Sequence, residues 1–178
     1  MSIEKIKGIL PYLICFLASL FYLYEFVLQV SPSVITQELM QSFKVGAPGI
    51  SMISAFYFYT YTAMQLPAGL LYDRFGPQRV LTCAILVCAV GALFFGHANT
   101  LVMASLGRSF MGIGSAFSFI GALVLVSRWL PAQYFALVAG TVQLMSSVGA
   151  ICGQIPIAIT VHHYGWRTTV FWVAIAGF

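Results

Sequence analysis

Five stretches of the chain, at about residues 9–30, 49–72, 79–98, 101–127 and 134–160, are apolar over about twenty residues or more. At about 1.5 Å per residue each makes enough helix to cross the roughly 30 Å of bilayer hydrocarbon. A sixth apolar run begins near Arg167 and has about a dozen residues before Phe178, too few to span. The sequence thus predicts an all-α, polytopic helix bundle that is a fragment ending inside its sixth helix. Residues 1–8 are expected to be a short terminus and residues 9–178 one transmembrane domain.

Composition agrees with that reading. The chain is 61% hydrophobic and 7% charged, where soluble domains carry about a quarter charged residues. A soluble domain of this size leaves too much surface to be covered by so few polar side chains. The lipid bilayer is the expected partner.

The net charge of +4 raises the possibility of nucleic acid, but the basic residues are scattered singly and no basic stripe interleaves with aromatics. No nucleic-acid partner is expected. With the amino terminus placed in the cytoplasm, Lys5, Lys7, Arg74, Arg79 and Arg128 fall inside and only Lys44 and Arg167 outside. That distribution follows the positive-inside rule.

The first apolar run is long and lacks a small-residue cleavage pattern, so it reads as a retained helix and not as a signal peptide. Cys15, Cys83, Cys88 and Cys152 lie in apolar runs without metal or disulfide spacing and read as small core residues. No metal and no cofactor are expected.

The connecting segments are short and punctuated: Ser31-Pro32-Ser33, Ala47-Pro48-Gly49, Gly76-Pro77, Leu130-Pro131 and Tyr164-Gly165. The chain also resembles itself. At an offset of 89 residues Gln65-Leu66-Pro67 falls on Gln154-Ile155-Pro156, and Phe75-Gly76 on Tyr164-Gly165. Three helices is an odd number, so the second unit runs opposite to the first, which is the inverted-repeat arrangement of transporters.

Between the second and third runs stands Gly69-Leu70-Leu71-Tyr72-Asp73-Arg74-Phe75-Gly76-Pro77-Gln78-Arg79. It resembles the G-x-L-x-D-R-x-G signature of the major facilitator superfamily. Gly69 is expected to let another helix approach closely, Gly76 to support a tight turn, and Asp73 and Arg74 to sit in water at the membrane surface. The resemblance implies a cytoplasmic latch in which Asp73 meets a helix end of the other half of the protein. Pro77 and Gln78 stand where basic residues are common, and Arg79 is the expected substitute.

Arg108-Ser109-Phe110-Met111-Gly112-Ile113-Gly114 resembles the family's R-x-x-x-G-x-G motif. An arginine in hydrocarbon costs several kcal/mol unless it faces a partner or a wet cavity, which makes Arg108 a functional candidate. Arg108, Gly112 and Ser115 recur at i, i+4 and i+7, a face with room for a ligand or a neighbouring helix. The bland reading is an arginine snorkelling to the outer surface.

The first run carries the other embedded charge, Glu25, on a stripe with Ala18, Tyr22 and Gln29. Glu25 falls about 20 Å from the start of its helix and Arg108 about 10–15 Å from the outer end of its own, so their depths overlap within a turn or two. In the family both helices line the central cavity, which implies a Glu25 to Arg108 pair. Burial and a neighbouring arginine act in opposite senses on a carboxyl proton, so its protonation can follow ligand or conformation. Glu25 is the expected proton or cation site and Arg108 its partner or an anion-binding group. A purely structural ion pair is the alternative.

Tyr57, Tyr61 and Gln65 on the second run, and Gln143, Ser147 and Gln154 on the fifth, are expected to bond across helices or to a substrate. Gly140, Gly149 and Gly153 reproduce the glycine spacing of the family's antiporter signature, but Gln154 replaces its proline and the closing glycine pair is absent. Close helix packing is the default for these glycines. Pro67 and Pro156 are expected to bend their helices. Trp129 and Trp166 fit the interfacial aromatic belts.

The resemblance implies the amino-terminal six-helix half of a bacterial inner-membrane transporter, with a missing carboxy-terminal half as its partner. Such a protein is expected to carry a small polar or anionic solute by proton- or cation-coupled symport, with drug or metabolite efflux by proton antiport as the alternative. A non-transporting receptor or assembly subunit is the alternative from another class. An enzyme is not expected: His162 and His163 fall in an outer loop away from Ser115, without a nucleophile-elbow pattern. The chain also lacks a G-x-x-x-x-G-K-S/T phosphate loop.

Overall fold

The computed structural model describes residues 10–177. The expected cytoplasmic terminus with Lys5 and Lys7, and the final Phe178, lie outside the described residues. Within them every regular element is a helix. In chain order these are α1 (Leu10–Val34), α2 (Thr36–Phe43), α3 (Ala47–Phe75), α4 (Pro77–Gly96), α5 (Leu101–Ser115), α6 (Ser118–Trp129), α7 (Phe135–Cys152), α8 (Ile155–Tyr164) and α9 (Trp166–Ala176). A single 3-10 turn, Ala132–Tyr134, leads into α7.

Long rods are assembled from these pieces. Helix α5 passes into α6 through a tightened turn in which the Phe117 N–H bonds the Gly114 carbonyl at 3.2 Å, three residues back. Helix α7 breaks at Gly153-Gln154 before resuming as α8, one residue ahead of Pro156. By length and composition Tyr12–Val34, Pro77–Gly96, Leu101–Trp129 and Ala132–Tyr164 can each cross a membrane. Helix α3 is the longest single helix at 29 residues, but its middle carries Tyr57, Tyr59, Thr60, Tyr61, Thr62 and Gln65. Those polar side chains keep it below the hydropathy of the other four.

The expected connector after the first run changes here. Ser31-Pro32-Ser33 is not a connector, because α1 continues through Pro32 to Val34. The connection beyond it holds α2, whose Leu39 is fully buried and whose end is capped by Lys44 at φ 53°. Of the two prolines expected to bend their helices, Pro67 lies inside the continuous α3, and Pro156 follows an outright break between α7 and α8.

The two glycines that align in the internal repeat adopt the same backbone. Gly76 has φ 79°, ψ 157° and Gly165 φ 80°, ψ 157°. Each ends one helix, donates its N–H four residues back at 3.0 and 2.9 Å, and starts the next helix with no intervening residue. Both φ values lie where a side chain is strained, which explains glycine at both junctions. Helix pairing follows the same symmetry: α3 packs on α5 and α1 on α7, and these two pairs exchange under the repeat, while α4 packs on α9.

Small residues set the closest approaches. A Cβ on Gly91 would meet the Met111 backbone N at 2.7 Å, and one on Gly107 the Phe95 N at 2.7 Å, so α4 and α5 touch backbone to backbone. Gly149 and Gly153 do the same for α7 against α1, while a Cβ on Gly140 would meet nothing. Gly69 departs from its expectation in the same way: no other part of the described chain lies within 4 Å of where its Cβ would stand. The close helix approach expected there is not made by these residues.

Cys15 and Cys88 are core residues as expected, but Cys83 is exposed on α4. Trp166 is also placed differently. It is buried between Phe43 and Phe95, and its indole N–H donates to Ser42 Oγ at 3.0 Å. It therefore pins α2 onto the bundle and is not part of an aromatic belt.

Candidate functional site

Glu25 on α1 and Arg108 on α5 are each only 1% exposed. They do not form the direct ion pair implied by the family resemblance: no carboxylate oxygen of Glu25 lies within 4.0 Å of a guanidinium nitrogen of Arg108. Tyr57 of α3 stands between them. Its hydroxyl donates to Glu25 Oε1 at 2.6 Å, and its ring lies under Arg108, with Cζ 4.3 Å from the ring centroid. The charges are thus joined through an aromatic ring that hydrogen-bonds one and offers its π face to the other.

Arg108 is held from the far side by α1. Nη1 donates to the Leu28 carbonyl at 2.7 Å and approaches Met111 Sδ at 3.5 Å, and Nη2 donates to the Gln29 carbonyl at 3.4 Å. A helical carbonyl is normally occupied by the N–H four residues on. For Leu28 that residue is Pro32, which has none. The local sequence of α1 therefore frees the carbonyl that the arginine occupies, with the Ser31 hydroxyl also donating to it at 3.2 Å.

Two polar atoms in this knot remain unsatisfied. Glu25 Oε2 and Arg108 Nε are buried and have no hydrogen-bond partner. Orphaned charged-group atoms are costly in a medium of low polarity, so they mark where a further proton, water or ligand would be accommodated. Arg108 borders an open cavity of about 480 Å³, whose polar lining also includes Gln29, Ser51, Ser54 and Gln154; Glu25 is not among its lining residues. The break between α7 and α8 delivers Gln154 to that wall.

Other candidates take different places. Tyr22 is buried, and its hydroxyl reaches Gln143 Oε1 on α7 at 3.5 Å, while Gln143 Nε2 donates to Ser146 Oγ at 3.0 Å. Gly112 abuts the Tyr57 carbonyl and the Thr60 hydroxyl, so its smallness serves the α3–α5 contact that brings Tyr57 to Arg108. Thr60 Oγ1 seals that contact by donating to the Ser109 carbonyl at 3.0 Å. Ser115 turns to α4, with Oγ 3.6 Å from Cys88 Sγ, so it does not share the cavity with Arg108.

The signature residues form a separate group at the other end of α3. Asp73 faces Arg128 at the end of α6, Oδ1 to Nη2 at 3.7 Å, and its side chain is 83% exposed. Arg74 lies over the Phe75 ring at 5.4 Å. Arg79 is not the partner of Asp73. It sits on the rim of an apolar groove formed with Leu71, Phe75 and Cys83.

In the sequence Tyr57 is one of several polar side chains on its helix, and nothing there singles out the carbonyls of Leu28 and Gln29 as partners of Arg108. For Leu28 the free carbonyl is nonetheless legible, since a proline four residues downstream of any helical residue leaves that residue's carbonyl without its donor.

Comparison with known proteins agrees with this architecture. Curated relatives include a probable sulfoacetate transporter of Cupriavidus necator, 24% identical over 148 residues, which cover 83% of this chain and 34% of that protein. An uncharacterized transporter of Bacillus subtilis is 26% identical over 169 residues, 94% of this chain and 39% of its own. An efflux pump of Hypomyces subiculosus is 32% identical over 127 residues, 68% of this chain and 22% of its own. The chain spans little more than a third of the length of the first two. The sequence profile described as Major Facilitator Superfamily matches residues 14–178. With several membrane-spanning helices, an internally repeated helix bundle and this match over nearly its whole length, the chain is a multi-pass membrane protein of the major facilitator superfamily.

Proposed function

We propose that this chain is the amino-terminal part of a secondary active transporter that takes up a small organic anion together with a proton, with Glu25 as the coupling carboxylate. The observation that carries the reading is the buried knot of Glu25, Tyr57 and Arg108, in which each charge keeps one atom unpartnered and Arg108 borders an open cavity. A carboxylate used only for structure is expected to have both oxygens satisfied. A carboxylate that loads and releases a proton needs an oxygen that is free in one of its states.

Energy in this reading comes from an ion gradient, and transport proceeds by rocking of two halves about a midplane site. The amino terminus lies in the cytoplasm, in a bacterial inner membrane. Asp73 then faces the cytoplasm, where Gly69, Asp73, Arg74, Gly76 and Arg79 form the latch toward the other half. The likeness to a probable sulfoacetate transporter makes sulfoacetate the first solute to try. Arg108 supports an anion, because its guanidinium is the cation bordering the cavity.

The test is uptake of labelled sulfoacetate by proteoliposomes holding the full-length protein. An inward proton gradient is expected to accelerate uptake, and Glu25→Gln to abolish that acceleration while leaving solute counterflow measurable. Proton-driven uptake that survives Glu25→Gln unchanged refutes the coupling role. The likeness to a fungal efflux pump favours a second reading, outward transport by proton antiport, and solute movement against an inward proton gradient distinguishes it.

A further inference from the structure

Pro32 lies inside a helix and sits next to a charged side chain of the site. Four residues upstream, the Leu28 carbonyl has lost its helical donor and is taken by Arg108 Nη1 at 2.7 Å, and the adjacent Gln29 carbonyl is reached by Nη2 at 3.4 Å. Pro32 and Arg108 both border the 480 Å³ cavity. The last turn of α1 and the guanidinium are therefore tied by one short and one long bond, at the wall where an anion would arrive.

We propose that Pro32 is a positioning residue for Arg108: by withholding a backbone N–H from Leu28, it parks the guanidinium on α1, from which an anionic ligand in the cavity must draw it. A planar guanidinium presents five N–H donors in a fixed fork. In the parked state two edges are committed to α1, one face rests on Tyr57, and Nε has no partner. An anion of carboxylate or sulfonate type takes two parallel N–H donors. The weaker Gln29 contact is the one it displaces, so ligand capture loosens the end of α1. Binding and the mobility of a cavity-lining helix are thereby coupled through a bond that exists because residue 32 is proline. This rests on the transporter reading above for its meaning, but the contact itself is testable without any solute.

The experiment is a double-mutant cycle on the full-length protein in detergent, combining Pro32→Ala with Arg108→Gln and reading thermal unfolding. Arg108→Gln alone leaves the Leu28 carbonyl with only the Ser31 hydroxyl, and a marked fall in Tm is expected. In the Pro32→Ala background the restored backbone N–H at position 32 serves Leu28, so the same substitution is expected to lower Tm by less than half as much. Equal falls in both backgrounds overturn the proposal.

A second readout keeps the proposal falsifiable if Arg108→Gln does not fold. In protein labelled with 15N-arginine, a guanidinium locked at both Nη atoms gives separate signals, assigned by their loss in Arg108→Lys. Pro32→Ala is expected to merge them into the averaged signal of a freely rotating group, which a merely structural proline would not do. Unchanged separate signals in Pro32→Ala overturn the assignment. Both measurements read the protein alone, so failure of sulfoacetate uptake leaves them decisive.

Discussion

Two groups of charged residues among the described residues stand under opposite conditions. Glu25 and Arg108 are withdrawn from solvent and communicate through Tyr57, whereas Asp73 and Arg128 meet at 3.7 Å with the aspartate 83% exposed. A pair in water contributes little, because hydration competes and salt screens it. A buried charge must be compensated by its surroundings, and here the compensation comes from an aromatic face, a phenol and two helical carbonyls. The buried group thus depends on the packing of three helices, α1, α3 and α5. The exposed group needs only two helix ends in register. The first holds a costly state, whereas the second can be made and broken cheaply, as the proposed latch requires.

Substitutions can break this contrast. The largest effect is expected from Tyr57→Phe, which removes the hydrogen bond to Glu25 Oε1 and leaves both carboxylate oxygens unpaired. A loss of about 2 kcal/mol is expected, seen as a fall in the thermal unfolding temperature of the solubilised full-length protein. A change below measurement would mean that Glu25 is compensated elsewhere.

Next in size is Gly76→Ala, which forces a side chain to φ 79° and is expected to cost about 1 kcal/mol or more. Gly165→Ala should cost the same, since its backbone is nearly identical. Unequal losses at the two sites would argue that the repeat is one of outline and not of energetics.

The smallest effect belongs to Asp73→Asn. Its stability change should stay within about 1 kcal/mol and shrink further in high salt. If instead it rivals Tyr57→Phe, the exposed pair is not the cheap contact its surroundings indicate. In transport assays the order is expected to reverse between rate and stability, with Asp73→Asn altering turnover far more than unfolding.

How legible was all this in the amino-acid order? Glu25 and Arg108 stood out because an ionisable residue in an apolar run violates the solvent preference of everything around it. Gly76 was legible because Gly-Pro after a charged stretch marks a turn, and its twin at Gly165 emerged from the offset of 89 residues. The role of Tyr57 was not legible. A tyrosine on a helix with Tyr59 and Tyr61 has no local mark that separates it from them, and only the approach of α5 at Gly112 selects it. Pro32 looks like part of a connector in the sequence, because proline usually ends a helix. Helix α1 nevertheless continues, since the carbonyl that proline freed is satisfied by a side chain 80 residues further along.

Solvent and local stereochemistry account for everything the sequence determined by itself: long apolar runs require helices in lipid, and glycine is required where φ is positive. The tertiary structure alone decided which polar groups meet. Glu25 and Arg108 share a depth, but whether they touch directly or through Tyr57 depends on how closely three backbones approach. That distance is set by glycines packing against partners far apart in the chain, and no local pattern encodes it.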